Sequence, residues 1–80
     1  MNSTAAMFAP YQPLHGRQYD VANCYDRTNL ALRIMTHIRK CEDYLGVARR
    51  AQRQMWINAA EGELARHRTA LESLNQLGPN

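Results

Sequence analysis

No run of apolar residues in this 80-residue chain approaches the roughly 18 that a membrane-crossing helix needs. The opening "MNSTAAMF" also lacks the basic start and apolar stretch of a secretory signal, so a cytoplasmic chain is expected. Cysteine is scarce. Cys24 and Cys41 are too few to staple a small fold, and in a reducing compartment they serve as small apolar groups. No glycine-rich phosphate loop is present, and adjacent acids such as Glu42 and Asp43 point in different directions on a helix, which removes the simplest phosphoryl-transfer and carboxylate-pair chemistries. Large aliphatic side chains are few as well: eight Leu, three Ile and two Val stand against eleven Ala. A chain this short with so thin a core is marginal unless a metal, a disulfide or a neighbour completes it.

Charge is present but unevenly placed. The net +3 conceals a segment from Arg27 to Arg53 that holds Arg27, Arg33, Arg39, Lys40, Arg49, Arg50 and Arg53 against only Glu42 and Asp43, while both flanks are slightly acidic. Such a segment favours acidic partners: a protein face, a nucleic acid or an anionic surface.

Two kinds of sequence divide the chain. Residues 1–19 read as an irregular arm, in which Pro10 and Pro13 remove amide donors and bias Ala9 and Gln12 toward extended backbone, and helix is not expected there. Residues 20–80 read as helical, with Asp20, Asn23 and Asp26 as candidate caps for a helix over about 22–45. Leu30, Ile34, Ile38, Cys41 and Leu45 form its apolar stripe, widened by Ala31, Met35 and Ala48. A second stripe, Ile57, Ala60, Leu64, His67, Leu71 and Leu74, defines a helix over about 50–77, closed by Gly78 and Pro79. Leu45 and Ile57 are twelve positions apart, so a single rod would rotate one stripe roughly 120° from the other. The economical reading is a break near Gly46 and an antiparallel hairpin. Asn58-Ala-Ala-Glu61 has capping-box spacing and offers a later second start, and one unbroken helix is the other alternative.

Four features carry chemistry. His37 and Cys41 lie four apart, one side of a helix at metal-ligand spacing, with Cys24 and His67 as conceivable completing ligands. Zinc motifs usually show two short-spaced pairs and only one is evident, so no metal or cofactor is expected. A cysteine–histidine nucleophile needs a pocket that a hairpin does not build, so no catalytic residue is expected either. His67 sits inside the apolar seam of Leu64, Leu71 and Leu74, where it reads first as a core-edge histidine satisfied by a neighbouring polar group and second as a polar seam residue that sets register or partner choice; on the second reading His67→Leu is expected to stabilise the assembly and blur its stoichiometry. Met55, Trp56 and Ile57 are consecutive and cannot all face one thin neighbour, so part of this trio looks outward, next to Arg49, Arg50 and Arg53.

The sequence thus predicts an all-α fold: an extended arm, then an antiparallel two-helix hairpin completed by dimerisation or a partner. The expected function is non-catalytic binding of another protein with an acidic surface, as a small adaptor, inhibitor or chaperone-like subunit. Met55, Trp56 and Ile57 are the expected apolar anchors, Arg49, Arg50 and Arg53 the rim, and Phe8 and Tyr11 arm residues that dock on the partner. Leu64, His67, Leu71 and Leu74 form the expected seam of a homodimer. The alternative is a sequence-tolerant nucleic-acid binder using Arg39, Lys40, Arg49, Arg50 and Arg53.

Overall fold

The first long helix begins where the sequence offers a short polar side chain ahead of the apolar stripe. Asn23 Oδ1 accepts the amide hydrogens of Tyr25 (2.9 Å) and Asp26 (3.1 Å), satisfying two donors that a helix start otherwise leaves open. In the computed structural model, which describes residues 3–78, this helix (α2, Cys24–Arg50) runs 27 residues. A six-residue helix (α1, Ser3–Phe8) precedes it, and a third (α3, Gln54–Leu77) follows. Helices α2 and α3 pack against each other as the expected antiparallel hairpin, with no strand among the described residues.

The break falls five residues beyond the expected place. Helix α2 passes through Gly46 and ends at Arg50, and the chain reverses over Ala51–Arg53. There the Arg53 amide donates to the Ala48 carbonyl and the Gln52 amide to the Arg49 carbonyl, both at 3.1 Å, the paired bonds of a Schellman ending. The residue that must turn left-handed is Gln52, at φ 56°, a position usually given to glycine. Neither the start at Asn58 nor the single rod is adopted. At the far end α3 stops at Leu77 as the glycine predicted, and Gly78 lies so close to the Arg27 side chain that a Cβ there would overlap it. Pro79 lies outside the described residues.

Two apolar clusters hold the hairpin. Near the turn, Leu45, Ala60 and Leu64 are buried with Ile57 and Cys41 against them; near the open end, Leu30, Ile34, Ala70 and Leu74 are buried with Leu71 beside them, and Ile38 touches both groups. Two helices alone leave the open-end cluster uncovered on one side. The arm covers it. Helix was not expected in residues 1–19, yet α1 is followed by a 3-10 turn, Ala9–Tyr11, with Pro10 in its first turn, where a missing amide hydrogen costs nothing. The arm folds over the hairpin and places Phe8 (1% exposed) and Tyr11 (3% exposed) among Leu30, Ile34, Ala70 and Leu74. Phe8 and Tyr11 are thus core residues of their own chain and not anchors for a partner. Likewise Leu64, His67, Leu71 and Leu74 are used inside the chain.

Polar bonds fix the arm's return. Gln12 spans the loop, its Oε1 accepting the Tyr19 amide at 2.7 Å, and Gly16 supplies the positive φ of 89° that the bend requires. Arg17 reaches the first turn of α2 in a two-pronged pair, Nη1 to Asp26 Oδ2 and Nη2 to Asp26 Oδ1, both 2.7 Å, and the Asp20 amide adds a bond at 2.8 Å. These bonds, the Arg17 guanidinium first, hold the Asp26 carboxyl at about 2, well below its ordinary 3.8. A depressed carboxylate pKa contributes stability in full above the ordinary value and loses it as pH falls through the depressed one. Stability should therefore decline from about pH 4 toward about pH 2. Urea midpoints measured across that window should show this component in the wild type and lack it in Asp26→Asn.

Candidate functional site

Two regions of the hairpin bear functional side chains. The first is a polar knot between the apolar clusters. His37 and Cys41 come from successive turns of α2, Glu63 and His67 from successive turns of α3, and Tyr11 from the arm. The rings of Tyr11, His37 and His67 form a triangle, with centroids 5.3 Å apart from Tyr11 to His37, 5.3 Å from His37 to His67 and 5.5 Å from Tyr11 to His67. Tyr11 Oη and His67 Nδ1 share a hydrogen bond of 2.5 Å, and His67 Nε2 lies 3.5 Å from Glu63 Oε2. Burial raises the Tyr11 hydroxyl and the Cys41 thiol above their ordinary values, with Glu63 adding to both, and it lowers His37, helped by the charges of His67, Lys40 and Arg33. Arg66, bonded to Glu63, holds that carboxyl below its ordinary range. Burial disfavours the thiolate of Cys41, the form in which a cysteine acts as a nucleophile. Cys24, seventeen residues from Cys41 on the same helix, is about 25 Å away and can neither complete this cluster nor form a disulfide with Cys41.

The hydrogen bond to Tyr11 makes His67 a seam histidine satisfied by a polar neighbour and reverses the stability change expected of its replacement. His67→Leu removes the partner of a buried hydroxyl and so destabilises, by about 1–3 kcal/mol. Adding Tyr11→Phe removes the orphaned group and should recover most of that loss. Urea denaturation of the two single variants and the double variant checks it: the cycle must show strong coupling.

The second region is the turn end. Here Tyr44, Val47, Met55 and Trp56 are all at least two-fifths exposed, Met55 at 84%. The Tyr44 and Trp56 rings lie 6.4 Å apart, and the Arg53 guanidinium stands 5.1 Å over the Trp56 ring. Helix α3 begins beside them with no side-chain cap and no acid in its first turn, leaving the positive end of its dipole open. Of the residues expected to share a binding face, Arg53, Met55 and Trp56 are brought together here with Arg49 and Arg50 close by in sequence, and Ile57 turns inward to the core. Arg49 bonds Glu61 across the hairpin at 3.3 Å. Arg39 shares its stripe of α2 with Asp43 and Arg50, four and eleven residues on, while Lys40 lies about 100° round the helix, so the five cations do not form one sector.

Tyr44 is the contributor that sequence reasoning missed. It sits seven residues after His37, and Trp56 sits seven before Glu63, a spacing that returns each to nearly the same side of its helix. Comparison with known proteins offers no parallel: no family model, no curated protein and no solved structure matches the chain. No helix among the described residues is long and apolar enough to cross a membrane.

Proposed function

We propose that the chain is a non-catalytic protein-binding module that docks through its turn end onto a partner with an acidic rim around an apolar recess. The observation that carries this reading is the Tyr44–Trp56 pair with Arg53 stacked on it. The chain buries the aromatic rings of Phe8 and Tyr11 in its own core, yet leaves its single tryptophan 42% exposed beside an 84% exposed methionine. Trp, Tyr, Met and Arg are the side chains enriched at interface centres. Arg50, Arg53 and the open start of α3 supply the positive rim that would attract carboxylates, with Arg49, bonded to Glu61, at its edge.

The reading places the chain in the cytoplasm, where its two thiols stay reduced. The homodimer is not carried into it, since the seam of Leu64, His67, Leu71 and Leu74 is spent within the chain. Nucleic-acid binding is the weaker reading because its cations are divided by Asp43 and Glu61.

A photo-reactive amino acid placed at position 55 and activated in native cells tests the proposal. One protein adduct is expected, lost in Trp56→Ala and retained in added salt. A nucleic-acid adduct, or a protein adduct indifferent to Trp56→Ala, would contradict it.

A further inference from the structure

The polar knot brings together two potential ligand pairs, each four residues apart in sequence. His37 and Cys41 are four apart on α2; Glu63 and His67 are four apart on α3, and the antiparallel packing sets the pairs face to face. The donor atoms of Cys41, Glu63 and His67 already lie within 4.8 Å of one another. A tetrahedral zinc with bond lengths of about 2.0–2.3 Å needs its donors roughly 3.3–3.8 Å apart, so a contraction of about 1 Å completes three corners. Glu63 is half exposed, and the exposed Arg66 bonded to it can follow a shift of that size.

We propose that His37, Cys41, Glu63 and His67 form a four-coordinate site for Zn²⁺, bridging α2 and α3 midway along the hairpin. Sulfur, two imidazole nitrogens and one carboxylate oxygen suit zinc's borderline softness. His37 takes the fourth corner by rotation of its side chain, its ring being 5.3 Å from that of His67. The thiol proton of Cys41 passes to solvent on binding, and thiolate plus carboxylate then balance the two positive charges of the ion.

Three further observations fit a ligand set. His67 directs Nε2 toward Glu63 and the site, while Nδ1 bonds to Tyr11 Oη; a metal-bound histidine characteristically gives its other ring hydrogen to an oxygen in this way. Tyr11 is therefore a positioning residue, which ties the arm to the metal. Arg66 orients Glu63 from outside. The location also matches the need: a small chain with a thin core gains most from a staple where arm and both helices meet.

The test uses the full chain stripped with a chelator and titrated with Co²⁺ and then Zn²⁺. One equivalent of Co²⁺ should produce a thiolate-to-cobalt charge-transfer band with the intense visible bands of a tetrahedral ion. Zn²⁺ should displace it and raise the melting temperature. The band should vanish in Cys41→Ser and persist in Cys24→Ser, and Glu63→Gln should weaken Zn²⁺ at least about tenfold. X-ray absorption of the wild-type zinc form needs no variant: it should show one sulfur at about 2.3 Å and three lighter scatterers at about 2.0 Å. The site is refuted if no charge-transfer band forms, if the band survives Cys41→Ser, or if the absorption spectrum shows no sulfur or two.

Discussion

Phe8→Ala should destabilise the protein by about 3–5 kcal/mol, as truncation of a buried phenylalanine commonly does. The ring is 1% exposed and is among the largest fully buried side chains of the chain, together with Leu30, Ile34 and Leu74. It lies where the arm crosses the open-end cluster, so its loss leaves a cavity bounded by both long helices. The flanking residues cannot refill it: Ala70 is small, and Leu30 and Ile34 are fixed on the stripe of α2. A domain of this size has stability near the lower end of the usual range of about 5–15 kcal/mol, so the variant should be partly unfolded at room temperature. Urea denaturation followed by circular dichroism measures the loss. Trp56 fluorescence reports from the opposite end and should move in step if unfolding is two-state. A loss below about 1 kcal/mol would mean that the ring is not in the core.

Removal of residues 1–19 has the larger consequence because it acts on three links together. It strips Phe8 and Tyr11 from Leu30, Ile34, Ala70 and Leu74, takes Arg17 from Asp26, and leaves His67 Nδ1 without the Tyr11 hydroxyl. The remaining hairpin then exposes an apolar strip along α2 and α3 that water does not tolerate. The shortened chain should self-associate at micromolar concentration or lose its cooperative melt. Sedimentation and a thermal scan of the two forms side by side would check this; a monomeric hairpin with an unchanged melt would show the arm to be dispensable.

Much of the hairpin was legible because helix periodicity is local. The stripe from Leu30 to Leu45 and the seam from Ile57 to Leu74 each follow from side-chain spacing alone, and the 120° offset between them favoured a reversal over one unbroken rod. The exact place of that reversal was not legible, since Gln52 takes a conformation for which glycine is the usual signal and Gly46 sits harmlessly inside α2. The arm was misjudged for a related reason. Proline argues against a helix interior, but Pro10 stands in the first turn of a 3-10 segment just after α1 has ended, and local rules cannot show that Phe8 and Tyr11 meet residues more than twenty positions away. Composition pointed to a thin core, and Phe8 and Tyr11 of the arm add to it. What completes it comes from within the chain.

The sites divide in the same way. Arg53, Met55 and Trp56 stand close in sequence and remain close in space, so their grouping was visible, whereas Tyr44 joins them only across the turn. Glu63 and His67 have the same four-residue spacing as His37 and Cys41, but an acid and a histidine four apart are common on any helix. The meaning of this pair depends on the register that sets it opposite His37 and Cys41, and register belongs to the packing of the two helices.

The claim on which these readings depend is that the arm closes the hairpin of its own chain. Nuclear Overhauser spectra of the isotope-labelled protein test it most directly, with labelled and unlabelled chains mixed to separate contacts within a chain from contacts between chains. Cross-peaks within one chain are predicted from the Phe8 ring to the methyl groups of Leu30, Ile34 and Leu74, and from the Tyr11 ring to His67. A Phe8 ring with no such cross-peaks, or with them only between different chains, would contradict the account.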